Sequence, residues 1–126
     1  MIDIYFRENL GKGTISLEMS GHANAAPFGK DLVCAGTSAL LYTLAQNLVF
    51  AREDGLLERP PYIKRRDGYA KLVATPMPEQ FETIETMFMT IVNGFLMIQH
   101  NYARSVSVHG VDRPKEVKRV YTDEDL

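Results

Sequence analysis

Cysteine is almost missing from this chain, with a single residue, Cys34, in 126. That excludes an intramolecular disulfide and a zinc site built on several thiolates. Histidine occurs only three times, and no three residues fall at a metal-ligand spacing, so no metal is expected. Neither sign of charge dominates: 14 Lys and Arg against 16 Asp and Glu leave a net charge of -2. This argues against a nucleic-acid partner held by phosphate neutralisation. A Gly-x-Gly-x-x-Gly run and a P-loop are both lacking, so no nucleotide cofactor is implied. We read no apolar run near the ~18 residues of a membrane span, so no membrane partner is expected. Asp3 and Arg7 stand where a signal peptide would carry its apolar stretch, so a cytoplasmic setting is expected. What remains is ordinary: 45% hydrophobic and 24% charged residues. A chain of this length buries roughly two-thirds of its unfolded surface without staples.

The periodicities divide the chain. Ile2, Ile4 and Phe6 alternate with Asp3, Tyr5 and Arg7, and Ile15, Leu17 and Met19 repeat the pattern across a glycine-rich turn. This predicts a hairpin with one buried face. Residues 21–30 are nearly all small and aperiodic, which predicts a loop. Asp31 then offers an N-cap for a helix running to residue 53 or 54, with Val33, Thr37, Leu40, Leu41, Leu44 and Leu48 on one stripe and Gly55 as its C-cap. Asp67-Gly68 between two short extended runs, 62–66 and 69–74, predicts a second hairpin. A long helix over about 79–102 carries Phe81, Ile84, Phe88, Ile91, Phe95, Ile98 and Tyr102 on one side. Its other faces carry Met87, Met89, Val92, Leu96 and Met97, more apolar surface than one small sheet covers, which points to a partner subunit. A last strand spans 104–110. The order ββ-α-ββ-α-β makes the class α+β, with a small mixed or antiparallel sheet packed against two helices. One domain is expected over 1–110. The tail 111–126 is expected to be solvated, since residues 112–126 hold nine charges in fifteen positions.

Chemistry concentrates between Ser20 and Ser38. His22 follows a strand, and Cys34 is expected in the first turn of a helix. Free N–H groups and the positive end of the helix dipole stabilise a thiolate there. The same groups are placed to bind the oxyanion of a tetrahedral intermediate. A neighbouring His takes the thiol proton and makes Cys a nucleophile. Against this, a lone Cys on a core helix is most often a small buried hydrophobe, and a lone His after a strand is most often a loop or capping residue. Asp31 as N-cap orders the turn, yet its charge opposes a nearby thiolate. Ser38, one turn after Cys34, either faces the same cleft or bonds its own helix carbonyl. His100 and His109 read as a helix-end cation and a polar strand residue, and Lys64-Arg65-Arg66 as a solvated hairpin face.

Ser20-Gly21-His22-Ala23, followed by Gly29-Lys30-Asp31-Leu32-Val33-Cys34-Ala35 and Ser38-Ala39-Leu40, resembles the signature of the ribosomal-processing cysteine proteases known as Prp. Two separated blocks match with their spacing, and the order of elements agrees to about Gly110. The resemblance implies a Cys-His dyad, His22 as general base and Cys34 as nucleophile, with Gly21, Ala23, Asp31 and Ser38 supporting the site or binding substrate. It implies a cytoplasmic homodimer without cofactor. Such an enzyme removes the N-terminal extension of large-subunit ribosomal protein number twenty-seven, cutting between a large aromatic and a small residue. The small-residue loop would grip the substrate. Phage-encoded relatives that process a capsid or scaffold protein are the alternative. Gly36-Thr37 stands where many relatives have Ala-Val, and the charged tail runs past the usual family end. Two other readings compete: a non-catalytic dimeric binding module, and a thiol hydrolase of small acyl substrates.

Overall fold

The computed structural model describes residues 1–22 and 27–111, with the backbone alone at 27–31. Its elements follow the expected order: β1 (Ile2–Asn9), β2 (Thr14–Gly21), α1 (Pro27–Glu53), β3 (Tyr62–Arg66), β4 (Tyr69–Ala74), a 3-10 turn (Pro78–Gln80), α2 (Phe81–Asn101) and β5 (Val106–His109). The tail expected beyond Val111 lies outside the described residues, as does Ala23.

Five strands form one sheet in the order β3-β4-β2-β1-β5. β1–β2, β2–β4 and β3–β4 pair antiparallel, while β5 returns parallel to β1, with Ile2 opposite Val106. The sheet is therefore mixed. A parallel partner needs a long crossover, and α2 supplies it between β4 and β5. Alternation decides which side faces inward. Ile2, Ile4, Phe6, Ile15, Leu17, Leu72, Ala74 and Val106 are buried. Asp3, Tyr5, Glu18, Tyr69 and Lys71 alternate with these in the strands and make up the other, polar face.

Both helices cover the inner face. α1 buries Val33, Thr37, Leu41, Leu44, Leu48 and Ala51; α2 buries Ile84, Phe88, Ile91, Val92 and Phe95. They cross antiparallel through two reciprocal contacts. A Cβ on Gly36 would lie 3.2 Å from the Ile98 Cδ1, and one on Gly94 would lie 2.7 Å from the Leu40 Cδ2. Each helix thus receives a branched side chain of the other at a glycine, which brings the backbones close. Leu40, expected in the sheet-facing stripe, is only half-buried, because it turns towards α2. Tyr102 caps α2 rather than continuing its stripe and is 36% exposed.

Three expectations need correction. α1 starts at Pro27 rather than at Asp31. Proline suits the first helical position, where its missing N–H costs nothing, and Gly29 is carried inside the helix despite its ~1 kcal/mol penalty. Asp31 is accordingly the fifth helical residue and not the N-cap. Finally, the segments Leu32–Glu53 and Pro78–Asn101 are long and apolar enough to cross a membrane by length and composition, and only 28% of each such window is buried. Scattered polar residues hide these stretches from a search for unbroken apolar runs. Each helix nonetheless lays its buried stripe on the sheet.

Candidate active site

β2 ends at Gly21, whose N–H donates to the carbonyl of Gly68 at 2.9 Å. Gly21 has a φ of +101°, and a Cβ there would collide with the Met1 carbonyl, so only glycine fits this strand end. His22 leaves the sheet from that fixed point. Its ring lies over the Asp67-Gly68 turn: a Cβ on Gly68 would fall 2.6 Å from Nε2 and 3.1 Å from Cε1.

Facing the turn is the first half of α1. His22, Cys34, Thr37 and Ser38 line one cavity of about 150 Å³ together with Gly21, Arg65, Arg66, Asp67 and Gly68. Ile2, Met19, Leu41 and Ala70 give it an apolar floor. His22 is exposed and Cys34 half-buried, an arrangement open to an incoming chain. Among the described hydrogen bonds, none joins His22 to Cys34.

Cys34 is the eighth residue of α1 and not a first-turn residue. An N–H at that depth is committed to the carbonyl four residues earlier, and the dipole's influence fades within the first turn. The expected activation by the helix end, and the expected oxyanion donors at Cys34, are therefore not supplied by this backbone.

The neighbouring hydroxyls differ. Thr37 Oγ1 is buried and donates to the carbonyls of Val33 (2.9 Å) and Cys34 (3.2 Å). Thr43, Thr86 and Thr90 make the same kind of bond to their own helix. Among the described residues Ser38 does not, and it lines the cavity instead.

The second hairpin makes a further wall of the cavity that no motif in the sequence marks. β3 is exposed along its whole length, as expected of a solvated face, yet Arg65 and Arg66 also border the cavity. Arg65 lies 4.8 Å over the Tyr42 ring of α1, and Arg66 4.8 Å over Tyr69. The Tyr69 hydroxyl donates to Glu18 Oε2 at 2.6 Å. That bond holds the Glu18 carboxyl below the usual carboxylate range, helped by Arg7 and opposed by burial, and pushes the Tyr69 hydroxyl up. The turn is thus tied to the sheet on one side and to α1 on the other. Asp67-Gly68 is readable as a turn; its service as a wall for His22, 46 residues earlier in the chain, carries no local signal.

The remaining histidines sit elsewhere. His109 Nε2 is 3.0 Å from Asp3 Oδ1, and its ring stacks on Tyr5 at 4.6 Å. His100 is in the last turn of α2. Among the described residues no three His, Cys, Asp or Glu side chains cluster to hold a metal ion.

A family model described as cysteine protease Prp matches residues 1–107. The ribosomal processing cysteine protease Prp of Bacillus subtilis (strain 168) is 50% identical over 42 residues, 33% of this chain and 38% of that protein. The match therefore spans well under half the length of that curated relative. Among solved structures, the ribosomal processing protease Prp from S. aureus with a covalently linked product peptide superposes with a TM-score of 0.60 at 25% identity, covering 86% of this chain and 97% of that one. A Streptococcus mutans protein gives 0.57 at 27% identity, covering 86% and 91%. The matched region runs from the first strand to β5 and contains the whole cavity. The chain belongs to the cysteine protease Prp family.

Proposed function

We propose that this chain is a cysteine endopeptidase that removes the N-terminal extension of large-subunit ribosomal protein number twenty-seven, with Cys34 as nucleophile and His22 as its base. The observation that carries the reading is the shared cavity of His22, Cys34 and Ser38 in a chain of this family. The S. aureus relative with its covalently linked product peptide supports a covalent route.

In the reaction, a ring nitrogen of His22 takes the Cys34 Sγ proton, and the thiolate adds to the scissile carbonyl carbon. The tetrahedral intermediate collapses with cleavage of the C–N bond, and the imidazolium passes its proton to the leaving amine. A thioester remains. Water, deprotonated by His22, adds to it, and the thiolate leaves to release the carboxylate product. Ser38 is placed to hydrogen-bond the bound chain, and the apolar floor accepts the aromatic side chain before the cut. The resemblance of the sequence motif assigns Ala23 and Asp31 a supporting role as well.

The enzyme works in the cytoplasm as a homodimer. Leu32 (54% exposed), Phe50 (51%) and Met97 (38%) leave apolar area on the helices that a second copy would cover.

The test is incubation of the purified chain with the ribosomal protein carrying its extension, read by intact-mass spectrometry. One cut is expected, after a large aromatic and before a small residue. Failure to cut that protein would remove the ribosomal substrate; cutting of a phage capsid or scaffold protein in its place would establish the alternative.

A further inference from the structure

The β3–β4 turn does more than join two strands. Gly68 has a φ of +71°. Asn and Asp also tolerate that region in a two-residue hairpin turn, so φ alone does not demand glycine. The demand comes from His22. A Cβ at position 68 would stand 2.6 Å from Nε2, 3.1 Å from Cε1 and 3.4 Å from Cδ2, so it would collide with Nε2 and press on Cε1. One residue before His22, the Gly21 N–H is bonded to the Gly68 carbonyl at 2.9 Å. The same glycine therefore holds the strand end below the histidine and offers a bare Cα for the ring to lie on.

We propose that Gly68 is a positioning residue for His22: the absence of its side chain seats the imidazole against the turn, on the wall of the cavity it shares with Cys34. The role rests on the reading of His22 as the base of the reaction. An exposed histidine without such a wall samples several rotamers, each with its own entropy to lose at the moment of proton transfer. The seat removes that freedom beforehand. Misplacement of a catalytic group by ~1 Å costs on the order of a hundredfold in rate, and a methyl on Gly68 displaces the ring by that order.

A natural control exists. Gly55 has nearly the same φ, +77°, and a Cβ there would meet nothing within 4 Å. Gly55→Ala therefore carries the left-handed strain of alanine without touching His22. The experiment measures kcat and KM on a peptide spanning the aromatic–small junction, together with the His22 ring resonances by NMR, in five proteins: wild type, Gly68→Ala, Gly55→Ala, His22→Ala and His22→Ala/Gly68→Ala. Gly68→Ala should lower kcat by roughly ten- to a hundredfold with KM little changed, and should shift the His22 Cε1–H resonance. Gly55→Ala should do neither. On the His22→Ala background the second substitution should have no further effect on residual activity. An inactive His22→Ala beside a Gly68→Ala no worse than Gly55→Ala overturns the positioning role and leaves the base intact. A fully active His22→Ala overturns the base itself, and the positioning role with it. Should Gly68→Ala not fold, the native protein decides: a cross-relaxation peak between the His22 ring and the Gly68 Hα protons supports the seat, and its absence overturns it.

Discussion

Thr37 and Ser38 are adjacent in α1 and use their hydroxyls in opposite ways. Thr37 is buried and bonded back to Val33 and Cys34, so it stiffens the turn that carries the thiol. Ser38 faces the cavity. Ser38→Ala should therefore lower cleavage while leaving the melting temperature within a few degrees of wild type. Cys34→Ala should abolish cleavage and cost no more than about 1 kcal/mol in a denaturant titration, since the half-buried side chain loses little volume. A large stability loss with cleavage retained would make Cys34 a packing residue. Away from the cavity, Glu8 is pushed up to about 7, first by a hydrogen bond shared with Glu85, then by burial and by repulsion from the same carboxyl. A carboxyl raised on folding contributes stability that is present in full below its ordinary value of 4.5 and is lost as pH rises through about 7. Glu8→Gln should flatten that decline, so the variant should gain on wild type above pH 7; an unchanged profile of stability against pH would refute the pairing. The dyad candidates were legible in the sequence because their types and spacing are distinctive. The depth of Cys34 in α1 was not, because Pro27 and Gly29 read locally as breakers, and only the whole helix shows that one begins it and the other is tolerated.

Between elements, α1 and α2 meet through exchanged side chains, Ile98 over Gly36 and Leu40 over Gly94. Gly94→Val should destabilise by roughly 1–3 kcal/mol, because the Leu40 methyls already occupy the space of its Cβ. Leu40→Ala in the same chain should recover part of that loss, and a double-mutant cycle from denaturant titrations reads the coupling. Purely additive effects would contradict the close crossing. The strands, both helices and the Asp67-Gly68 hairpin were legible from period and turn chemistry. The crossing was not: Leu40 fits the sheet-facing stripe of α1 by spacing, and only the partner helix decides that it turns aside. The parallel return of β5 was likewise invisible, since a strand's partner is set by the crossover and not by its own residues.

Across the molecule, the two helices cover one face of the sheet and keep some apolar side chains on their outer sides. Helix surface remains exposed at Leu32, Phe50 and Met97. Sedimentation at micromolar concentration should give about twice the chain mass of 14.2 kDa, and Phe50→Glu should shift it towards the monomer, since specific dimers bury roughly 1,200 Å² or more. A clean wild-type monomer would leave the apolar helix surface without its proposed partner. Whether His22 and Cys34 act together on a peptide bond is decided by acid-quenching the reaction within the first turnover and mapping the digested enzyme by mass spectrometry. The expected product is the extension attached as a thioester to the peptide containing Cys34, with no such adduct in His22→Ala. Cleavage at full rate with Cys34 unmodified, or by Cys34→Ala, would rule the dyad out.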